Sequence, residues 1–103
     1  SYASMGANII FNLLKHSDIL MVAEGLNVFR IELPPSLENK SLVESEIRGR
    51  TGCSVISIQR EVDGHDVHLV HFESSEVLQK GDELVLIGDI ESEEAFIKTY
   101  VSS

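Results

Sequence analysis

The group in this sequence best suited to anion capture is Arg48-Gly49-Arg50. A planar guanidinium offers paired donors that fit a phosphate bidentately. The competing reading is that both arginines pair with Glu44, Glu46 or other carboxylates, as surface arginines usually do. His65, His68 and His71 invite a metal reading, since imidazole is a common ligand for zinc and nickel. On a strand, however, His65 and His71 share one face and His68 takes the other, so they do not converge on one ion. Cys53 has no base beside it and reads as a small buried hydrophobe rather than a nucleophile. Glu91, Glu93 and Glu94 fall in the first turn of a predicted helix, where carboxylates complement its dipole. No nucleophile, base and orienting group stand at any motif spacing, so an enzyme is not expected, and neither is a metal site.

Positioning these groups requires a fold, and composition bounds it. The chain has 103 residues, enough for one domain, with 43% hydrophobic and 24% charged residues. Eight Lys and Arg against 17 Asp and Glu give a net charge of −9, which repels nucleic-acid backbones and anionic lipid. A nucleic-acid partner is therefore not expected. No apolar run approaches the roughly 20 residues that cross a bilayer. One cysteine forms no internal disulfide and no closed zinc pattern, which suits a reducing, cytoplasmic setting. The start shows no secretory pattern and no initiating Met, as expected of a piece of a longer protein.

Residues 5–14 carry Ile9, Ile10, Leu13 and Leu14 at helical spacing, and Ser17 or Asp18 can cap a second short helix through Leu20 and Met21, ended by Gly25. This predicts a helix-turn-helix over residues 1–26, with more apolar surface than two short helices bury between them. Ile9, Ile10, Leu13, Leu14, Leu20 and Met21 are therefore candidate dimer-interface residues. From Val28 the period becomes two and predicts a strand, stopped by Pro34-Pro35. Ser41 and Glu44 have capping-box spacing and open a helix that Gly49 and Gly52 end. Residues 53–60 and 65–72 read as strands joined at Asp63-Gly64, a hairpin signal. Residues 84–87 form a third short run, and Asp89 caps a last helix bearing Phe96, Ile97, Tyr100 and Val101. The fold class is α+β, a small mostly antiparallel sheet in the order β-α-β-β-β-α over residues 27–103, preceded by the helix-turn-helix.

The segments FRIELPPSLENKSL, IRGRTGCSVISIQR and VLQKGDELVLIGD, running from Phe29 to Asp89, resemble the RCK C-terminal (TrkA-C) domain from end to end. The closing stretch is the most specific part, a Leu two residues before Lys-Gly-Asp and then an apolar strand into Gly88-Asp89. Residues 2–25 resemble the helix-turn-helix that precedes this domain, and the junction Ala23-Glu24-Gly25-Leu26-Asn27-Val28-Phe29 resembles the branch fused to two-helix potassium channels. Where the family commonly has Asn-Pro, this chain has Phe72-Glu73-Ser74-Ser75. A basic pair is replaced by Gln59-Arg60.

The resemblance implies a regulatory, ligand-sensing and dimerising domain of a potassium or other cation transport system, lying at the inner face of the membrane through its parent protein. It implies a homodimer or higher ring, an upstream nucleotide-binding RCK domain and a membrane channel or transporter subunit as partners. In the branch that binds cyclic di-AMP, an Arg and an Asn six residues later are expected at the ligand; Arg48 matches the first and Ser54 stands at the second. The candidate ligand residues are thus Arg48, Arg50, Ser54, Val55 and Ile56, with a nucleotide such as cyclic di-AMP or a divalent cation as ligand. Val55 and Ile56 also mark a sheet edge where a second copy can pair. A purely structural interaction domain without a ligand is the alternative.

Overall fold

Alternating side chains on Leu26–Glu32 (β2) and Glu83–Gly88 (β5) make the centre of a sheet, seen in a computed structural model that describes residues 17–101. The two strands pair antiparallel with Phe29 opposite Leu86 and Ile31 opposite Leu84, all four buried. Asp18–Ala23 (β1) flanks β2, while Ser54–Val62 (β3) flanks β5 and carries His65–Leu69 (β4) on its outer side. The order of this five-stranded antiparallel sheet is β1-β2-β5-β3-β4.

Two hairpins close the ends of the sheet, each with two consecutive positive φ angles. Asp63 and Gly64 have φ of 52° and 80°, as the hairpin signal predicts. Glu24 and Gly25 have the same pair of angles, 52° and 80°. The second helix expected over residues 19–22 is thus corrected to strand β1. Gly25 does take a left-handed conformation, but as a hairpin corner rather than a helix end, because four consecutive apolar residues carry no period that separates helix from strand. No helix-turn-helix is seen among the described residues. The first helix, with Ile9, Ile10, Leu13 and Leu14, falls outside them. Leu20 and Met21 stand exposed on β1.

After the buried corner at Pro34 and a short 3-10 turn at Pro35–Leu37, the capping box forms as predicted. The Glu44 amide donates to Ser41 Oγ at 3.2 Å and the Ser41 amide donates to Glu44 Oε1 at 2.9 Å. The helix it opens is not continuous. Leu42–Ser45 (α1) breaks at Glu46, whose φ is 55°, and the helix resumes as Ile47–Thr51 (α2). Gly49 lies inside α2 instead of ending it. Gly52 ends it at φ 86°, a conformation that favours glycine, and a Cβ there would stand 2.6 Å from Ser92 Oγ.

Ile90–Phe96 (α3) starts from Asp89, whose carboxylate accepts from the Ser92 amide at 2.7 Å, and continues as a π-helical turn, Ile97–Val101. Phe96, Ile97 and Tyr100 bury against the sheet, with Phe96 edge-on to Phe29 at 6.3 Å between ring centres. From β2 onward the order is the predicted β-α-β-β-β-α, with the first helix divided in two and β4 ending at Leu69 rather than Phe72.

Candidate functional site

A groove of about 430 Å³ opens where α1, α2, the start of β3 and the segment after β4 meet. Ser54 and Val55 at the start of β3 line it. β4 pairs with β3 only from Ile58 onward, so residues 54–57 have β5 on one side and no strand on the other among the described residues. One wall is the chain after β4, stitched to the start of α1 by backbone bonds. The Val43 amide donates to the Ser74 carbonyl at 2.9 Å and the Leu42 amide to the Glu76 carbonyl at 3.0 Å. The other wall is α2. Leu42, Val43, Ile47, Val55 and Phe72 make the lining mainly apolar, with Arg48, Glu46, Glu73, Ser54 and Ser74 at its polar positions.

The predicted ligand residues separate on this geometry. Arg48, Ser54 and Val55 line the groove together. Arg48 makes no ion pair among the described residues, which leaves its guanidinium available. Arg50 instead pairs with Glu46, Nε to Oε2 at 2.9 Å, one helical turn away, and does not line the groove. Ile56 is the extra residue of a β-bulge, since Val55 faces Leu86 and Ser57 faces Val85, and it is turned out to solvent. It too lies off the groove.

The other candidates have plain structural places. His65 faces Val62 and His68 faces Gln59 across the β3-β4 ladder, which puts the two imidazoles on opposite faces. Cys53 is fully buried, and burial pushes its thiol up to about 11, with the charges of Glu93 and Asp89 adding to the shift against a hydrogen bond from Thr51. It is a packing residue.

Three polar anchors escaped the sequence reading. Glu93 lies in the first turn of the last helix as expected, but it is completely buried and accepts from Asn27 Nδ2 at 2.9 Å and Ser17 Oγ at 3.2 Å. Its spacing to Phe96, Ile97 and Tyr100 is that of one helical stripe, which is the signal that could have found it. Arg60 and Asp82 form a bidentate pair at 2.9 and 2.7 Å, with Arg60 also reaching Glu76 at 3.2 Å and the Val77 carbonyl at 2.9 Å. Hydrogen bonding to Asp82, ahead of the opposing cost of burial, raises the guanidinium further above its ordinary value, so it stays charged. The third anchor is the Tyr100 hydroxyl, which donates to the Ser45 carbonyl at 2.6 Å.

The profile of the TrkA-C domain matches residues 28–100. Among solved structures, "Crystal Structure of the GsuK RCK domain" is 39% identical with a TM-score of 0.66, covering 98% of this chain and 22% of that chain. "GsuK channel bound to NAD" is 35% identical with a TM-score of 0.67, covering 98% of this chain and 18% of that one. The RCK_C domain dimer of S. agalactiae BusR in complex with c-di-AMP is 27% identical with a TM-score of 0.56, covering 74% of this chain and 90% of that chain. A longer BusR chain, in complex with its busAB-promotor DNA, shares the fold at 21% identity and a TM-score of 0.56, covering 96% of this chain and 45% of that one. That chain is in complex with DNA, so the expected absence of a nucleic-acid partner finds no support in the comparisons. The search of curated proteins finds no match. The chain spans about a fifth of the GsuK chains it resembles. No described helix is long and apolar enough to cross a membrane. The profile match over residues 28–100 makes the chain a member of the TrkA-C (RCK_C) family of regulatory domains.

Proposed function

We propose that this domain is the ligand-sensing and dimerising part of a potassium or other cation channel or transport protein, held at the cytoplasmic face by its parent. The observation that carries the reading is Arg48, a guanidinium without an ion pair among the described residues, set in an apolar groove beside the open half of β3. A free guanidinium next to apolar walls suits a ligand with an anionic group and a flat apolar body. The BusR domain that resembles this chain is a dimer holding c-di-AMP, which supports the same division of labour here. A second copy pairing at residues 54–57 closes the groove from its open side. Leu20, Met21 and the segment before them add to the dimer, so residues 1–26 serve as a dimerisation and linker segment before the TrkA-C domain of 27–103. Ligand binding acts on the coupled pore only through unequal affinity for two dimer arrangements. The domain performs no chemistry itself, and its partners are an upstream nucleotide-binding RCK domain and the membrane subunit.

A ligand-free scaffold is the second reading, favoured by Ser54 at the position where a cyclic di-AMP site has Asn and by the carboxylates of Glu46 and Glu73 in the groove lining. Calorimetric titration with cyclic di-AMP, and separately with a divalent cation, decides between them when run beside light scattering. Saturable binding by a dimer, lost in Arg48→Ala, is the expected result. A dimer that binds neither probe leaves the scaffold, and a monomer at high concentration removes both readings.

A further inference from the structure

Glu46 is a residue with a side chain held at φ 55°, a conformation such residues rarely adopt and keep only where neighbours hold it. Its own ion pair with Arg50 does not hold it, because both side chains are 58% exposed and the attraction is screened. The constraint comes from the residue before it. Ser45 ends α1, where carbonyls leave the helical ladder and need partners from elsewhere. Tyr100 Oη supplies one, donating to the Ser45 carbonyl at 2.6 Å in a buried bond.

The phenol reaches this point from the C-terminal π-helical turn. Its ring packs on Phe96 at 5.1 Å, so the core sets its aim, and its own carbonyl is tied by Ser36 Oγ at 3.2 Å. On the other side of the break, Ser45 Oγ accepts from the Ile47 amide at 3.4 Å, so α2 is built directly on the clamped residue. Arg48 follows one residue later.

We propose that Tyr100 is a positioning residue for the groove: its hydroxyl fixes the break between α1 and α2, and so the direction in which α2 presents Arg48. The clamp is independent of any ligand, while its regulatory consequence rests on the proposed ligand site. A molecule seated on Arg48 biases the arrangement of the C-terminal turn, and a contact that moves this turn changes affinity in the groove by the same factor.

The test is amide hydrogen exchange on the whole chain, comparing the native protein with Tyr100→Phe, which keeps the ring and removes only the hydroxyl. The Arg50 and Gly52 amides, bonded to the Glu46 and Arg48 carbonyls at 2.9 Å each, are expected to exchange about fivefold to tenfold faster, the effect of one lost hydrogen bond. Leu84 and Leu86 amides in the sheet centre are expected to keep their rates. Glu46→Gly in the Tyr100→Phe background restores the protection of α2, because glycine takes the left-handed turn unaided. Ser36→Ala, which removes the tie on the Tyr100 carbonyl but keeps the hydroxyl, is expected to speed α2 exchange less than Tyr100→Phe does; an equal or larger effect overturns the proposal. Unaltered α2 exchange in Tyr100→Phe overturns the proposal, as does faster exchange spread evenly over the sheet. If the single variant does not fold, the double variant decides, and unrestored α2 protection there is the overturning result. Cyclic di-AMP titrations of the same proteins keep the two readings apart: faster α2 exchange with no binding to the native chain sustains the clamp and removes the ligand.

Discussion

Two arginines lie on either side of the start of β3 and do opposite things. Arg60 is 14% exposed and spends its guanidinium on Asp82, Glu76 and the Val77 carbonyl, fastening β3 to the turn that leads into β5. Arg48 is exposed, has no such partner among the described residues and faces a groove. The same side chain is thus a structural rivet where carboxylates bond it and a candidate ligand contact where none does. The difference lies in the neighbours that β3 and α2 bring, not in residue type.

The largest effect expected is that of breaking the rivet. Arg60→Ala removes the counter-charge of Asp82, which is 1% exposed and keeps the Gln79 amide at 2.9 Å but no cation, and lowers unfolding stability by about 3 kcal/mol in urea titration. Arg60→Met combined with Asp82→Leu recovers most of that loss, since no charge is then left buried. A loss under 1 kcal/mol for Arg60→Ala would erase the contrast between the arginines.

Alkaline titration tests the packed strand that begins between them. The Cys53 thiol is raised from 9.0 to about 11 in the fold, so between those values the unfolded chain has lost a proton that the folded chain keeps. Stability is fully present below pH 9 and falls as pH rises through 11, by an amount on the order of 2 kcal/mol. Cys53→Ala flattens that slope in urea titrations at stepped pH; an unchanged slope assigns it to other groups. The smallest effect belongs to Arg48→Ala, which shifts stability by no more than about 0.5 kcal/mol, as expected of an exposed residue without a partner. A larger loss would show that Arg48 also fastens the fold.

What could be read from the sequence was whatever local chemistry decides. Ser41 and Glu44, Asp63 and Gly64, and Asp89 all sit where their short-range patterns place them, because a cap or a tight turn is settled by a few adjacent residues. Residues 19–22 read locally as a helix but form a strand, because pairing with β2, a tertiary fact, decides their form. For the groove, Arg48, Ser54 and Val55 were legible through the family resemblance, whereas Arg50 and Ile56 were separated from them by an ion pair and a bulge that no local pattern announces. Glu93, Asp82 and Tyr100 bond to residues 66 or more, 22 and 55 positions away, beyond the reach of any short motif.

The position of β5 between β2 and β3 also dictates how the chain assembles. The β1-β2 and β3-β4 hairpins are local and can pair within microseconds, each without the other. Neither joins a sheet until β5, which follows both along the chain, enters between them and closes the long loop to β2. The rate of folding is therefore set by the arrival of one strand, Glu83–Gly88, and substitutions at Leu84 or Leu86 should slow folding more than equally buried ones in the final helical turn.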